Sequence, residues 1–380
     1  PADRPHGRVQ GRVTGATRRA LLTAGAGAAA AAFAPPALRL SSAPSSPRLG
    51  LWRREGGPRL RGAVFVQRRV YAQLDGPSFL GPGPVGPPVT DAALDRLAEA
   101  RANLASWSGP GPFAEQAPFR PDAAIEDHIA SWLDRCAERG LYTTLCLRSG
   151  PGRSAFAFHP GESWYPAELY DASIWFDAEK QAAWAEMVDW TLRRFGDHPA
   201  LAGVLAMDEP NASDFERASI WTGLAGVIAR THQAGSRRAP LLLSPDRWAR
   251  LEAAEALRRA AGPAPVLITH DYSPWDYTHP AGEDPVFDAA ETSPAPGAKF
   301  GPAGVLEFGA PRDARGLAAY LEHRIAAYEA AAVNWAAFRW TSGWAAYEQA
   351  EGARALSEDP GALAVLERAF SANTARPGQL

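Results

Sequence analysis

The sequence predicts an α/β fold, a single-domain (β/α)8 barrel (TIM barrel). Three observations indicate it: eight short apolar runs recur along the chain, amphipathic segments separate them, and the repeat occupies roughly 320 residues. Strands that are apolar along most of their length are typical of a parallel sheet covered by helices. Eight such units in this length favour one closed barrel over two smaller domains.

The predicted elements alternate in order along the chain. The strands are the apolar runs 61–66, 103–107, 141–147, 201–207, 240–243, 265–269, 304–308 and 334–340. The helices are the segments with apolar residues at three- and four-residue spacing, 90–101, 122–139, 177–195, 214–234, 247–261 and 313–331. Residues 270–303 are rich in proline, glycine and aspartate and lack helical periodicity, so we predict a long functional loop there.

A doubly wound open sheet has the same strand content, and Gly81-Pro82-Gly83-Pro84-Val85-Gly86 spells its dinucleotide-binding pattern. Prolines occupy two variable positions of that pattern, and they remove backbone donors that would hold a phosphate. No apolar strand runs directly into it. We therefore interpret this stretch as a stiff surface loop.

The first 40 residues resemble a bacterial twin-arginine export signal. Arg18-Arg19 opens an apolar, small-residue stretch that runs to Phe33, and Ala34-Pro35-Pro36-Ala37 follows it. The apolar stretch is shorter than the roughly 20 residues that span a bilayer. We predict a signal over 1–40, a Ser/Pro-rich linker over 41–58, a catalytic domain over 59–375 and an extracellular mature protein without stable membrane insertion.

Charge and cysteine content exclude several functions. The net charge is −3, and six arginines lie within residues 1–40, so the remainder is more acidic than the whole chain. That sign argues against a nucleic-acid partner. The only cysteines, Cys136 and Cys146, are too few for a disulfide framework or a zinc site and are predicted to be buried core residues.

Two predicted strands deliver a carboxylate to the same rim of the barrel. The fourth strand ends in Met207-Asp208-Glu209-Pro210, and the seventh ends in Leu306-Glu307-Phe308-Gly309. Working residues of these barrels stand at the C-terminal ends of strands. Two carboxylates facing each other across a cleft are what cleavage of a glycosidic bond requires, since one protonates the leaving oxygen and the other attacks the sugar or activates water.

Aromatic and imidazole side chains accompany these acids. His270 and Tyr272, at the end of the sixth strand, are two residues apart and therefore face the same way. Trp340, at the end of the eighth strand, offers an apolar face on which a sugar ring can stack. Five further tryptophans stand in loops near strand ends and are candidates for sugar contacts: Trp107, Trp164, Trp175, Trp275 and Trp344.

Together these residues resemble glycoside hydrolase family 5, the cellulase family of retaining (β/α)8 enzymes, over about residues 60–345. In that family an Asn-Glu-Pro carries the acid/base, a His-x-Tyr ends strand six, a Glu-x-Gly carries the nucleophile and a tryptophan ends strand eight. The corresponding residues here are Asp208-Glu209-Pro210, His270-Asp271-Tyr272, Glu307-Phe308-Gly309 and Trp340.

The resemblance implies a role for each residue. Glu307 attacks the anomeric carbon, and Glu209 protonates the departing oxygen and then deprotonates water. Tyr272 orients Glu307, Trp340 stacks against the sugar ring at the cleaved bond, and Asp208 binds the sugar 2-hydroxyl. The chain departs from the family at three positions: Asp208 replaces an asparagine, no arginine ends strand two, and Arg148 replaces a histidine at strand three. Arg148 is a candidate for the missing cation.

The sequence thus predicts a secreted retaining β-glycosidase that acts on a β-linked carbohydrate without metal or organic cofactor. The alternative is a degenerate barrel that binds carbohydrate without cleaving it, which the substitution at Asp208 and the missing strand-two arginine favour. Serine and zinc hydrolysis have no support, because neither a Gly-x-Ser-x-Gly nor a His-Glu-x-x-His motif is present. Glucans, mannans and smaller glycosides all fit the pattern, and the oligomeric state is not specified.

Overall fold

The structure is a computed structural model that describes residues 46–76, 83–234, 239–280, 286–311, 314–341 and 355–379. The predicted export signal, the first part of the linker and Trp344 lie outside the described residues. No helix among the described residues combines the length and the apolar character needed to cross a bilayer.

The fold prediction is confirmed, since eight parallel strands close into one barrel. They are β1 Arg61–Val66, β2 Leu104–Pro110, β3 Tyr142–Ser149, β4 Leu201–Leu205, β5 Leu241–Leu243, β6 Val266–His270, β7 Ala303–Glu307 and β8 Asn334–Ala337. Each strand pairs with the next along the chain, and β8 closes the barrel against β1. Each predicted apolar run overlaps one of these strands.

Seven longer helices surround the barrel in the described part of the chain. They are α1 Asp91–Glu99, α2 Ala123–Glu138, α3 Ala178–Phe195, α4 Ala218–Ala234, α5 Ala254–Ala261, α6 Leu317–Ala330 and α7 Pro360–Phe370. Their starts follow from local chemistry: Asp122 and Asp177 each accept hydrogen bonds from two backbone amides in the first turn of α2 and α3. The six predicted helices correspond to α1–α6, whereas α7 lies beyond the predicted repeats.

The barrel interior is an apolar core of small and branched side chains from alternating strand positions, among them Val64, Ile268 and Leu306. A second, larger core lies between the outer face of the sheet and the helices. Both cysteines are buried and free, as predicted.

The N-terminal face of the barrel is closed by residues that the sequence assigns to the linker. Pro47–Trp52 forms a 3-10 helix. The Trp52 ring is 1% exposed, and its Nε1 donates to the carbonyl oxygen of Ala202 at 3.0 Å. A Cβ on Gly304 of β7 would lie 2.8 Å from this ring, so the strand needs a glycine there. Residues 47–52 are thus part of the folded barrel.

The loop predicted over 270–303 is present. Within its described part it contains only a one-turn helix, Trp275–Thr278, and two short 3-10 turns, Ala289–Glu291 and Ala298–Phe300. Asp271 anchors its start, because this carboxylate pairs with Arg324 of α6 and accepts a hydrogen bond from the Tyr328 hydroxyl at 2.8 Å. The loop therefore lies over the C-terminal end of β6.

Candidate active site

A cavity of about 710 Å³ opens at the C-terminal ends of the strands. Its walls come from the ends of β6 and β7 and from the loops after β3, β4, β5, β6 and β8. The chemistry-bearing and aromatic residues on it include Arg148, Phe158, Glu209, Trp248, Arg250, His270, Tyr272, Trp275, Glu307 and Phe338. Five of the seven predicted site residues are among them, whereas Asp208 and Trp340 are not.

Glu209 follows β4, and hydrogen bonds from a buried arginine hold its backbone. Its φ is 44°, in the left-handed region that a glutamate rarely adopts. The buried guanidinium of Arg153 donates to the carbonyl oxygen of Asp208 at 2.7 Å and to that of Glu209 at 2.8 Å. These contacts fix the unusual backbone and direct the Glu209 side chain into the cavity.

Glu307 ends β7 directly beside His270 at the end of β6, because the two residues are paired in the sheet. The Tyr272 hydroxyl donates to Glu307 Oε2 at 2.9 Å. This contact matches the pairing that the sequence predicts for Tyr272. Glu307 is 4% exposed, yet it lies on the cavity wall.

His270 joins the two glutamates. Its Nδ1 lies 2.9 Å from Glu209 Oε1 and 3.4 Å from Glu307 Oε2. Burial opposes the charged imidazole, but the neighbouring carboxylates of Glu307, Glu209 and Asp208 raise the pKa of His270 to about 9. Burial, with Asp208 and Glu209 adding to it against the opposing effect of His270, raises the pKa of Glu307 to about 8.

Asp208 does not occupy the position predicted for it. Its side chain is fully buried and does not line the cavity, so it cannot hold a sugar hydroxyl in this structure. Instead Oδ2 accepts a hydrogen bond from Ser108 Oγ of β2 at 2.5 Å. The Asp208 amide donates to the carbonyl oxygen of Leu147 in β3 at 2.8 Å, and the next residue, Glu209, lines the cavity in its place.

Arg148 lies on the cavity wall as a cation near the acids. Its guanidinium carbon is 3.6 Å from the centre of the Phe158 ring, and Nη1 is 3.6 Å from Asp208 Oδ2. It therefore places a positive charge beside Asp208. This position is consistent with Arg148 as the candidate for the cation that is missing at the end of strand two.

Trp340 is a second correction. It is fully buried, and its Nε1 donates to the carbonyl oxygen of Ala93 at 2.9 Å, so it belongs to the layer between sheet and helices. Strand β8 ends at Ala337, and the strict alternation of side chains does not extend to residue 340. Phe338 takes the place on the cavity wall.

Of the other candidate tryptophans, Trp275 lines the cavity and is 52% exposed. Its ring stacks on His279 at 3.8 Å, with an interplanar angle of 3°. Trp107 and Trp175 are buried, and Trp164 does not line the cavity.

Sequence reasoning missed Trp248. It sits in a turn in which Arg247, Trp248 and Ala249 all have φ near 60°, and its amide donates to the carbonyl oxygen of Pro210 at 3.0 Å. Three non-glycine residues in this conformation store backbone strain, which concentrates at functional sites. Nothing in the sequence indicates the turn, because none of the three residues favours left-handed backbone.

Asp208, His270 and Glu307 place possible metal-ligating atoms within 4.8 Å of one another. However, His270 faces Glu307 with Nδ1 and Asp208 with Nε2, at 3.4 and 3.7 Å. A histidine binds a metal ion through a single nitrogen, and the nitrogen that faces either acid points away from the other acid.

The strands thus form a closed parallel (β/α)8 barrel with acids gathered at its C-terminal face. No protein-family model matches the sequence, and no curated protein matches it significantly. Solved structures do match. One is a glycoside hydrolase, with a TM-score of 0.60 and 14% identity over 82% of this chain and 99% of that one.

Two further matches are structures of proteins named Cel5A. Thermotoga maritima Cel5A in complex with mannotriose has a TM-score of 0.56 and 14% identity over 84% of this chain and 99% of that one. The endoglucanase Cel5A of Pseudomonas stutzeri, in complex with cellobiose, has a TM-score of 0.55 and 17% identity over 86% and 98%. The resemblance to family 5 glycoside hydrolases is therefore confirmed for the fold.

Proposed function

We propose that this chain is a retaining β-glycosidase that cleaves a β-linked oligo- or polysaccharide by double displacement. One observation carries the proposal: two glutamates from opposite sides of the barrel, Glu209 and Glu307, reach the same nitrogen of His270 at the floor of one cavity. Neither acid has a purely structural arginine partner among the described residues.

The spacing of the two acids favours retention. Because both carboxylates touch His270 Nδ1, at 2.9 and 3.4 Å, their nearest oxygens are no further apart than the sum of these distances. A shared hydrogen-bonding partner keeps the two carboxyl groups close together, whereas inverting enzymes hold them roughly 6.5–9.5 Å apart to fit a water between them. Retaining enzymes bring the two carboxyl groups to about 5–5.5 Å.

The surroundings suit each acid to its role. Glu307 is the nucleophile, since the Tyr272 hydroxyl holds the oxygen that faces His270 and leaves the other one for the anomeric carbon. Glu209 is the acid/base, since it is the more exposed acid, at 14% against 6% of the side chain, and reaches leaving group and water.

The cavity suits carbohydrate. Phe158, Trp248, Trp275 and Phe338 supply flat apolar surfaces among charged groups, which is the mixture that a sugar with apolar faces and hydroxyl edges requires. The neighbours solved with cellobiose and mannotriose support β-linked hexose chains as the substrate class.

The test is covalent trapping. Incubation with a panel of 2-fluoro dinitrophenyl β-glycosides, followed by peptide mass spectrometry, is expected to give one label on Glu307. Glu209→Gln is the matched control, because an activated leaving group needs no proton and the label should still form. Glu307→Gln should take none. A label on another acid, or inverted product from a natural substrate, would refute the proposal.

A noncatalytic carbohydrate-binding barrel is the second candidate. The raised pKa of Glu307, about 8, favours the protonated form at neutral pH, and a protonated carboxyl is a poor nucleophile. This candidate predicts oligosaccharide binding by calorimetry with neither turnover nor label, tested from about pH 5 to pH 9 so that an alkaline optimum is not missed.

We also propose that residues 1–40 direct export by the twin-arginine route. Expression in a bacterium that has this pathway should place the protein outside the cytoplasm. Replacing Arg18 and Arg19 with lysine should retain it inside, and equal export of both forms would contradict the assignment.

A further inference from the structure

Asp208 is a buried acid behind the catalytic pair, without contact to the cavity. Ser108 satisfies its Oδ2, but among the described residues Oδ1 has no hydrogen-bond partner. An ionised carboxylate oxygen in this position is costly unless a positive charge faces it. The group that Oδ1 faces is the ring of His270, whose Nε2 lies 3.7 Å away and also lacks a hydrogen-bond partner.

The imidazole of His270 therefore stands between acids on both sides. Nε2 faces Asp208, while Nδ1 faces Glu209 and Glu307. A neutral imidazole carries a proton on one nitrogen only and would turn a lone pair toward a carboxylate on the other side. Only the imidazolium presents an N–H in both directions.

We propose that Asp208 is a positioning residue that keeps His270 doubly protonated, so that a fixed imidazolium donates to the two proposed catalytic carboxylates from behind. The part of this inference that concerns turnover rests on the proposed function. The part that concerns the charge of His270 does not.

The cluster is surrounded by charges on several elements. Arg148, near the end of β3, lies 3.6 Å from Asp208, and the Arg153 guanidinium donates to the backbone carbonyls of Asp208 and Glu209. Both cations oppose a charged imidazole.

Two further titratable groups face the cluster, the Tyr272 hydroxyl from the loop after β6 and the Cys146 thiol from β3. Burial, with Asp208 and Glu307 adding to it, raises the pKa of Cys146 well above its ordinary value, so this thiol is uncharged. Three carboxylates thus outweigh the two cations at the imidazole, and the raised pKa of His270 agrees with that balance.

An asparagine in place of Asp208 would change the charge but not the shape. Removing one negative charge makes every proton of the cluster easier to lose. Both ionisations of the coupled His270–Glu307 pair should therefore move to lower pH, by about 1 pH unit or more for a charge at this distance. A merely structural Asp208 would affect stability without moving either ionisation.

The direct test follows the ring nitrogens by 15N NMR on the whole chain, with the His270 signal assigned by its loss in His270→Gln. In the wild type His270 is expected to remain doubly protonated at pH 7.5, and in Asp208→Asn its midpoint should fall. The control is Asp75→Asn, another buried acid paired with an arginine, Arg68, away from the cavity, which should leave the midpoint unchanged.

A wild-type His270 that is neutral at pH 7 would overturn the inference without any variant. The inference can therefore be tested even if Asp208→Asn does not fold. An unchanged midpoint in folded Asp208→Asn would overturn it as well. In an active enzyme, both limbs of the kcat/KM profile should move to lower pH in Asp208→Asn. Absence of turnover would count against the proposed function, and the NMR result would still decide this inference.

Discussion

The two ends of the barrel solve the problem of burying polar groups in opposite ways. At the N-terminal face, the Arg48 guanidinium donates to the backbone carbonyls of Gly196, Asp197 and Leu201, and Trp52 donates to Ala202. At the C-terminal face, three carboxylates crowd one imidazole. The first end satisfies donors with neutral acceptors, whereas the second keeps like charges together.

This contrast separates stability from chemistry. Groups that are satisfied by backbone carbonyls stabilise the fold and have no protons to exchange at neutral pH. Buried carboxylates that lie close together repel one another and so destabilise the fold. The same repulsion shifts their pKa values in the way that acid/base chemistry uses. Mutations at the two faces should therefore have opposite consequences.

The largest expected effect is that of Glu307→Gln, which should lower kcat/KM by about four orders of magnitude or more while leaving the fold intact. A carboxyl whose pKa is raised in the folded state contributes stability at low pH, and this contribution is lost as pH rises through about 8. The glutamine should therefore melt at or above the wild-type temperature, with a gap that widens from about pH 5 to pH 9.

Kinetics with an aryl β-glycoside and thermal melts at both pH values measure these effects. Glu329→Gln, which removes an acid from the opposite face, is the control and should keep kcat/KM within about twofold. A Glu307→Gln variant that is both inactive and strongly destabilised would break the contrast between the two faces.

Trp52→Ala should show the reverse behaviour. Removing this ring leaves a cavity under the barrel and is expected to cost about 3–5 kcal/mol of unfolding free energy. Denaturant unfolding measures the loss, and kcat/KM per folded molecule should stay at the wild-type value. A large loss of specific activity in fully folded Trp52→Ala would show that the two faces are coupled.

Tyr272→Phe tests one contact within the C-terminal face. It removes a hydrogen bond to Glu307, and a bond to a charged group contributes about 1.5–3 kcal/mol, so kcat/KM should fall roughly 10- to 150-fold. Because the phenol stabilises the ionised carboxylate, its loss should move the acid limb of the kcat/KM profile to higher pH. Asp208→Asn should move the acid limb to lower pH instead. If both variants moved it in the same direction, the proposed contacts of Tyr272 and Asp208 with the cluster would be refuted.

Trp248 should show the smallest effect. Trp248→Ala removes a stacking surface of about 0.5–1.5 kcal/mol, so KM for an oligosaccharide should rise roughly 2- to 12-fold with kcat little changed. Trp248→Gly should give the same KM but a more stable protein than the alanine variant, because glycine tolerates the left-handed backbone. Equal stabilities would argue against strain in this turn.

Much of the architecture could be read from local pattern. Apolar runs and helical periodicity identified all eight strands and six of the seven longer described helices. The pairing of Tyr272 with Glu307 also followed from position, since both residues stand at adjacent strand ends. In contrast, α7 lies after the last strand, where the repeat no longer predicts an element.

The sequence by itself determined that acids, an imidazole and a phenol would meet at one rim, because parallel strands in a closed barrel all end on the same side. Only the tertiary structure decided which of these side chains face the cavity. Beyond a strand end the two-residue alternation stops, and the path of the following loop sets each direction. That path buries Asp208 and Trp340, and it brings Trp248 and Phe338 to the cavity wall.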